Sequence, residues 1–77
     1  MTPEEYAKSH QKAFRVAFDF LNTHFPPIDD DGWWIQSAKD IADVNVKAGG
    51  GKLVTELLNA VYTYIGYEYQ QRRDQSG

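Results

Sequence analysis

IDDDGWW (residues 28–34) lies in the middle of a 77-residue chain, and three readings compete for it: a cation loop, a short strand through GWWI, or the start of a helix. As an EF-hand loop, with Gly32 at the sixth position, it puts Pro27 first and Ala38 twelfth. That pattern needs Asp at the first of these and a bidentate Glu at the last. As a helix start the stretch is well accounted for. With Asp29 as N-cap, Asp30 and Asp31 fall in the first turn, where negative charge meets the positive end of the helix dipole. Ile28 then precedes the cap and Trp33 takes the fourth helical position, the spacing of a hydrophobic staple. The helix reading makes the whole chain α-helical.

On the N-terminal side, TPEEYAKSHQKAFRVAFDFLNTHF (2–25) reads as a long helix. Thr2 is the expected N-cap, Pro3 suits the first helical position, and Glu5 completes a capping box with Thr2. At about 100° per residue, Tyr6, His10, Ala13, Phe14, Ala17, Phe18, Leu21 and Phe25 share one side. Val16 and Phe20 widen that side to an arc of roughly 200°. FPPI (25–28) stops the helix, because proline lacks the N–H and drives its predecessor out of helical geometry.

On the C-terminal side, the second helix is expected over 30–48. Trp34, Ala38, Ile41, Asn45 and Ala48 form its apolar stripe, with Trp33 and Val44 beside it. Gln36, Lys39, Asp40, Asp43 and Lys47 make its polar strip. Gly49 is a natural terminator. A third helix over 52–73 begins with Lys52, the wrong charge for a helix N-terminus. Its apolar residues are Leu53, Val54, Leu57, Leu58, Val61, Tyr64 and Ile65. Tyr62 and Tyr69 extend one flank, and Ala60 and Tyr67 the other, giving an arc of roughly 220°. Residues 74–77 are expected to fray. The expectation is therefore one all-α domain over 1–77, a three-helix bundle with helices at 3–25, 30–48 and 52–73 and antiparallel neighbours.

Composition narrows function mainly by exclusion. Eight Lys and Arg against 11 Asp and Glu give a formal charge of −3. Such a surface has no general attraction for nucleic acid or anionic lipid. No apolar run reaches the ~20 residues that cross a membrane, and the acidic, polar start does not resemble a secretory signal. No cysteine is present, so no thiolate metal cage forms, and the cytoplasm is the expected location.

The motifs that suggest chemistry fail on spacing. AGGGKL has Val46 and Leu53 where a phosphate loop needs Gly and Ser or Thr. His10 and His24 lie about 21 Å apart on one helix and cannot share a metal. They read instead as hydrogen-bonded histidines at the edge of the core or at an interface, with a pH-sensitive contact as the alternative. Ser9, Ser37 and Ser76 have no recognisable histidine and acid partners. No cofactor and no catalytic residue is expected, and the chain reads as a non-enzyme. Lys8, Lys12 and Arg15 alternate with Glu4 and Asp19 at ion-pair spacing, which argues against a phosphate track. A helix-turn-helix reading would offer Lys52, Thr55, Glu56, Asn59 and Thr63 to DNA, with Glu56 opposing it.

What remains is aromatic excess: five Tyr, four Phe and two Trp. A helix facing one core needs an apolar stripe of about 100° or somewhat more, and these helices carry about twice that. The surplus is expected to be contact surface, completed by homodimerisation. Tyr62, Tyr64, Tyr67, Tyr69, Trp33 and Trp34 are the candidate interface. The leading expectation is a protein–protein interaction module that acts as adaptor, regulator or inhibitor of another protein. A small dimeric DNA-binding regulator is the alternative.

Overall fold

Three helices follow one another, α1 (Pro3–Thr23), α2 (Asp31–Lys47) and α3 (Lys52–Ser76). The computed structural model describes residues 1–76, with side chains described to residue 74. No strand occurs among the described residues, so GWWI is helical. The helix expected to fray from residue 74 continues to Ser76, and Gly77 lies outside the described residues.

Local chemistry sets the ends. Thr2 Oγ1 accepts from the Glu5 N–H at 3.2 Å and Pro3 opens α1. α1 ends at Thr23, two residues earlier than the sequence suggests. Thr23 Oγ1 donates back to the carbonyls of Asp19 and Phe20 at 3.0 and 3.1 Å, and the His24 N–H caps Phe20 O. The cap of α2 is Asp30, not Asp29. Asp30 Oδ2 accepts from the Trp33 N–H at 2.9 Å. This shift places Trp33 at the third helical position, so the staple with Ile28 does not form and Ile28 is exposed. After α2, the Gly49 N–H reaches Val46 O at 3.0 Å and the Gly50 N–H reaches Asn45 O at 2.9 Å. With φ of 96° at Gly49, this is a Schellman ending, which needs glycine to enter the left-handed region.

The contacts define an up-down-up arrangement. His24 at the end of α1 meets Asp40 of α2, Asn45 late in α2 meets Thr55 early in α3, and Trp34 early in α2 meets Tyr69 late in α3. α2 therefore runs antiparallel to both neighbours, and α1 and α3 are parallel. The core is Ala13, Ala17, Phe20, Val54, Leu58 and Ile65. Two alanines at the centre of the α1 stripe let α1 and α3 approach closely, and this is the more extensive helix contact. α2 is held off by rings instead. Its one buried residue is Ser37, 2 % exposed, whereas Ala38 is exposed. The buried side of α2 is thus centred about 100° from Ala38, at a polar residue that sequence patterning overlooks.

The molecule is long for its mass, with extents of 52 × 21 × 17 Å and a radius of gyration of 14.3 Å. A compact chain of this length has a radius of gyration of about 11.5 Å. The cause is α1. Every residue from Met1 to Lys12 is exposed and Ala13 is its first buried position, so the first turns overhang the base of the bundle.

Candidate functional site

The six aromatic residues singled out from the sequence divide into two groups. Trp33, Trp34, Tyr62 and Tyr69 are partly buried in one aromatic seam between α2 and α3. Trp34 makes edge-to-face contacts with Trp33, Tyr62 and Tyr69 at centroid distances of 4.7, 5.9 and 5.2 Å. Such pairings add to the area they bury. The Tyr62 hydroxyl donates weakly to Trp34 O at 3.4 Å, and the Tyr69 hydroxyl donates to Asp29 Oδ1 at 2.5 Å. These rings hold α2 in place.

Tyr64 and Tyr67 are the exposed pair, at 45 % and 58 %. Phe14 and Phe18 join them at 58 % and 62 %. At about 100° per residue, Phe14 and Phe18 lie past the α3-facing side of α1, away from the α2-facing Val16 and Phe20. By the same count, Tyr64 and Tyr67 lie on the side of α3 away from Tyr62 and Tyr69. Tyr64 therefore shares with Phe14 and Phe18 the side of the α1/α3 pair away from α2, whereas Tyr67, about 180° round the helix from the buried Leu58, projects from the back of α3. Phe25 joins this surface by stacking on Tyr64 at 6.1 Å, and Arg72 lies over its ring at 5.1 Å. Leu21, Asn22, Phe25 and Tyr64 line a shallow pocket of about 150 Å³ there. Sequence reading included Phe14 and Phe18 in the apolar arc but not among the interface residues. The signal was available, since the large rings flank a buried centre made of alanines.

A second surface feature is an open groove of about 530 Å³ beside the aromatic seam, lined by Asp31, Trp34, Ile35, Gly66, Tyr69 and Gln70. Gly66 faces open space: a Cβ added there would meet nothing within 4 Å.

Polar chemistry gathers at the α1–α2 junction. His24 Nε2 stands 3.0 Å from Asp40 Oδ2 and Nδ1 stands 3.0 Å from Phe20 O, with the imidazole stacked on the Phe20 ring at 3.9 Å. Gln36 Nε2 donates to the other Asp40 oxygen at 2.9 Å. The His24 and Gln36 hydrogen bonds hold the Asp40 carboxyl below the usual aspartate range. His24 is thus a hydrogen-bonded residue at the core edge. His10 is exposed on the overhang and touches Tyr6, with centroids 6.2 Å apart.

Among the described residues, no group of three His, Cys, Asp or Glu could hold a metal ion. No helix of those residues is long and apolar enough to cross a membrane. Of the side chains that a DNA-reading α3 would offer, Lys52 pairs with Glu56 at 2.7 Å and Thr55 donates to Asn45 Oδ1 at 3.1 Å. Asn59 and Thr63 are exposed. Comparison with protein-family models, curated proteins and solved structures finds no match to this chain.

Proposed function

We propose that this chain is a non-enzymatic protein–protein interaction module that works as a homodimer in the cytoplasm, as adaptor, regulator or inhibitor of another protein. One observation carries the reading: Phe14, Phe18 and Tyr64 are all exposed on the side of the α1/α3 pair away from α2. Isolated apolar residues are normal on a surface, but several large rings exposed on one side of a small domain are a feature of contact sites. Interfaces are enriched in Tyr, Phe and Trp and depleted in charge at their centres. Here the rings stand where a fourth helix would otherwise complete a bundle.

Sedimentation equilibrium at micromolar concentration tests the homodimer. The expected mass is near twice 8.8 kDa. It should fall to one chain when Phe14 and Phe18 are both changed to Glu, with the helical circular dichroism retained. A single-chain mass at every concentration overturns the homodimer.

A further inference from the structure

We infer that two copies meet through their α1/α3 faces with the α1 helices antiparallel, so that the overhanging start of each α1 covers the Leu21–Phe25–Tyr64 end of the other. This rests on the homodimer reading and specifies its face and direction.

Surface area is the first argument. The chain exposes 5666 Å². A compact monomer of 8.8 kDa exposes about 4,800 Å². The excess of about 900 Å² is close to the ~800 Å² that one partner contributes to a standard interface. The molecule has roughly one interface too much surface.

Charge selects the face. α1 carries Glu4, Glu5 and Asp19 against Lys8, Lys12 and Arg15, and α3 carries Glu56, Glu68 and Asp74 against Lys52, Arg72 and Arg73. Both helices are neutral. The entire charge of −3 comes from α2 and the residues before it: Asp29, Asp30, Asp31, Asp40 and Asp43 against Lys39 and Lys47. Pairing through the Trp34–Ile35 groove would bring two acidic surfaces together, at an electrostatic cost. Pairing through α1/α3 keeps them on opposite outer sides.

The overhang selects the direction. Tyr6 and His10 continue the core-facing stripe of α1 below the first buried positions of α1 and α3, Ala13 and Val54. Among the described residues, the one ring contact of either is with the other, at 6.2 Å between centroids, and both are exposed. A parallel pair would leave both overhangs protruding from the same end. In an antiparallel pair the aromatic run from Tyr6 to Phe25 is centred near residue 15 or 16. A two-fold axis there sets Tyr6 and His10 of one copy against the Leu21–Phe25 end of the other, where the Tyr64 pocket is open.

The chain has no cysteine, so single-cysteine spin labels report one position each. Glu4, Lys8 and Arg15 are all exposed on the outer strip of α1. In the antiparallel dimer their label-to-label separations along the helix axis fall from about 34 Å to about 22 Å to about 2 Å. A parallel pair gives equal separations at all three. Tyr6→Ala should weaken the dimer about tenfold, the scale of burying one large side chain, without altering unfolding of the monomer. A dimer mass with a flat distance profile, or with Tyr6→Ala neutral, overturns this arrangement and leaves the homodimer standing. A single-chain mass overturns both.

Discussion

Tyr69 Oη donates to Asp29 Oδ1 at 2.5 Å, joining the α1–α2 loop to the last third of α3 across 40 residues of sequence. The neighbouring carboxylate disfavours the phenolate, so the hydrogen bond to Asp29 first, and burial second, push the Tyr69 hydroxyl above its ordinary pKa, with Arg73 opposing them. The phenol is thus more strongly protonated when folded. Its contribution to stability is complete below the unfolded value of about 10 and is lost as pH rises through the folded value. In an ultraviolet titration of the five tyrosines, one should ionise late. That lag should disappear in Asp29→Ala, and its survival there would assign the late tyrosine elsewhere.

Asp29 is engaged by Tyr69, and its neighbour Asp30 caps α2. Asp30→Ala should cost about 0.5–2 kcal/mol in urea unfolding, as lost caps do. Asp29→Ala should leave the cap intact. Amide exchange separates the two residues: the Trp33 N–H should exchange faster in Asp30→Ala and unchanged in Asp29→Ala.

The triplet also marks how far the sequence was legible. Three consecutive aspartates announce a helix start but not which of them caps it. Of the three, Asp29 is engaged by Tyr69, which is distant in sequence and not visible from the local pattern. Thr2 and Pro3 stand alone at their end, and there the cap was readable. The three helices and their alternating directions were likewise legible, from apolar period and short loops. Which part of each wide arc is buried was not. Hydropathy ranks Phe14 and Phe18 above Ala13 and Ala17, yet close approach of α1 and α3 selects the alanines. Ser37 escaped for the same reason, since helix proximity favours small residues whatever their polarity. Of the six rings the sequence singled out, Tyr64 and Tyr67 are exposed, whereas Trp33, Trp34, Tyr62 and Tyr69 pack between α2 and α3, a division that depends on helix packing and not on residue type.

At the α1–α2 junction, the lowered pKa of Asp40 gives acid sensitivity a defined sign. A depressed carboxylate contributes stability that is present above its unfolded value, near 3.8, and lost as pH falls through the folded one. Urea midpoints measured from pH 5 to pH 2 should fall less steeply in Asp40→Asn than in the unaltered protein. Parallel curves would remove Asp40 from the acid response.

Gly66 sits inside α3 with room for a methyl group. Gly66→Ala should stabilise the protein by about 0.4–1 kcal/mol, because alanine restricts the unfolded chain and fits the helix. Gly49→Ala should do the opposite, since φ of 96° is strained for any side chain. Thermal melts of the two variants should move in opposite directions. A dimer mass retained in Gly66→Ala would further place the interface away from the groove beside Trp34.

The sharpest contrast is between Leu58 and Phe18. Leu58 is 1 % exposed in the core and Phe18 is 62 % exposed on the α1/α3 face. Leu58→Ala leaves a cavity and should cost about 2–5 kcal/mol at every protein concentration. Phe18→Ala removes little from the monomer, so unfolding in dilute solution should scarcely change. Its effect should emerge as concentration rises, because a partner that binds only the folded chain raises stability by mass action. In the unaltered protein the melting temperature should climb with concentration, and in Phe18→Ala that climb should flatten. Equal slopes in the two proteins would mean that Phe18 faces water in the assembled state too.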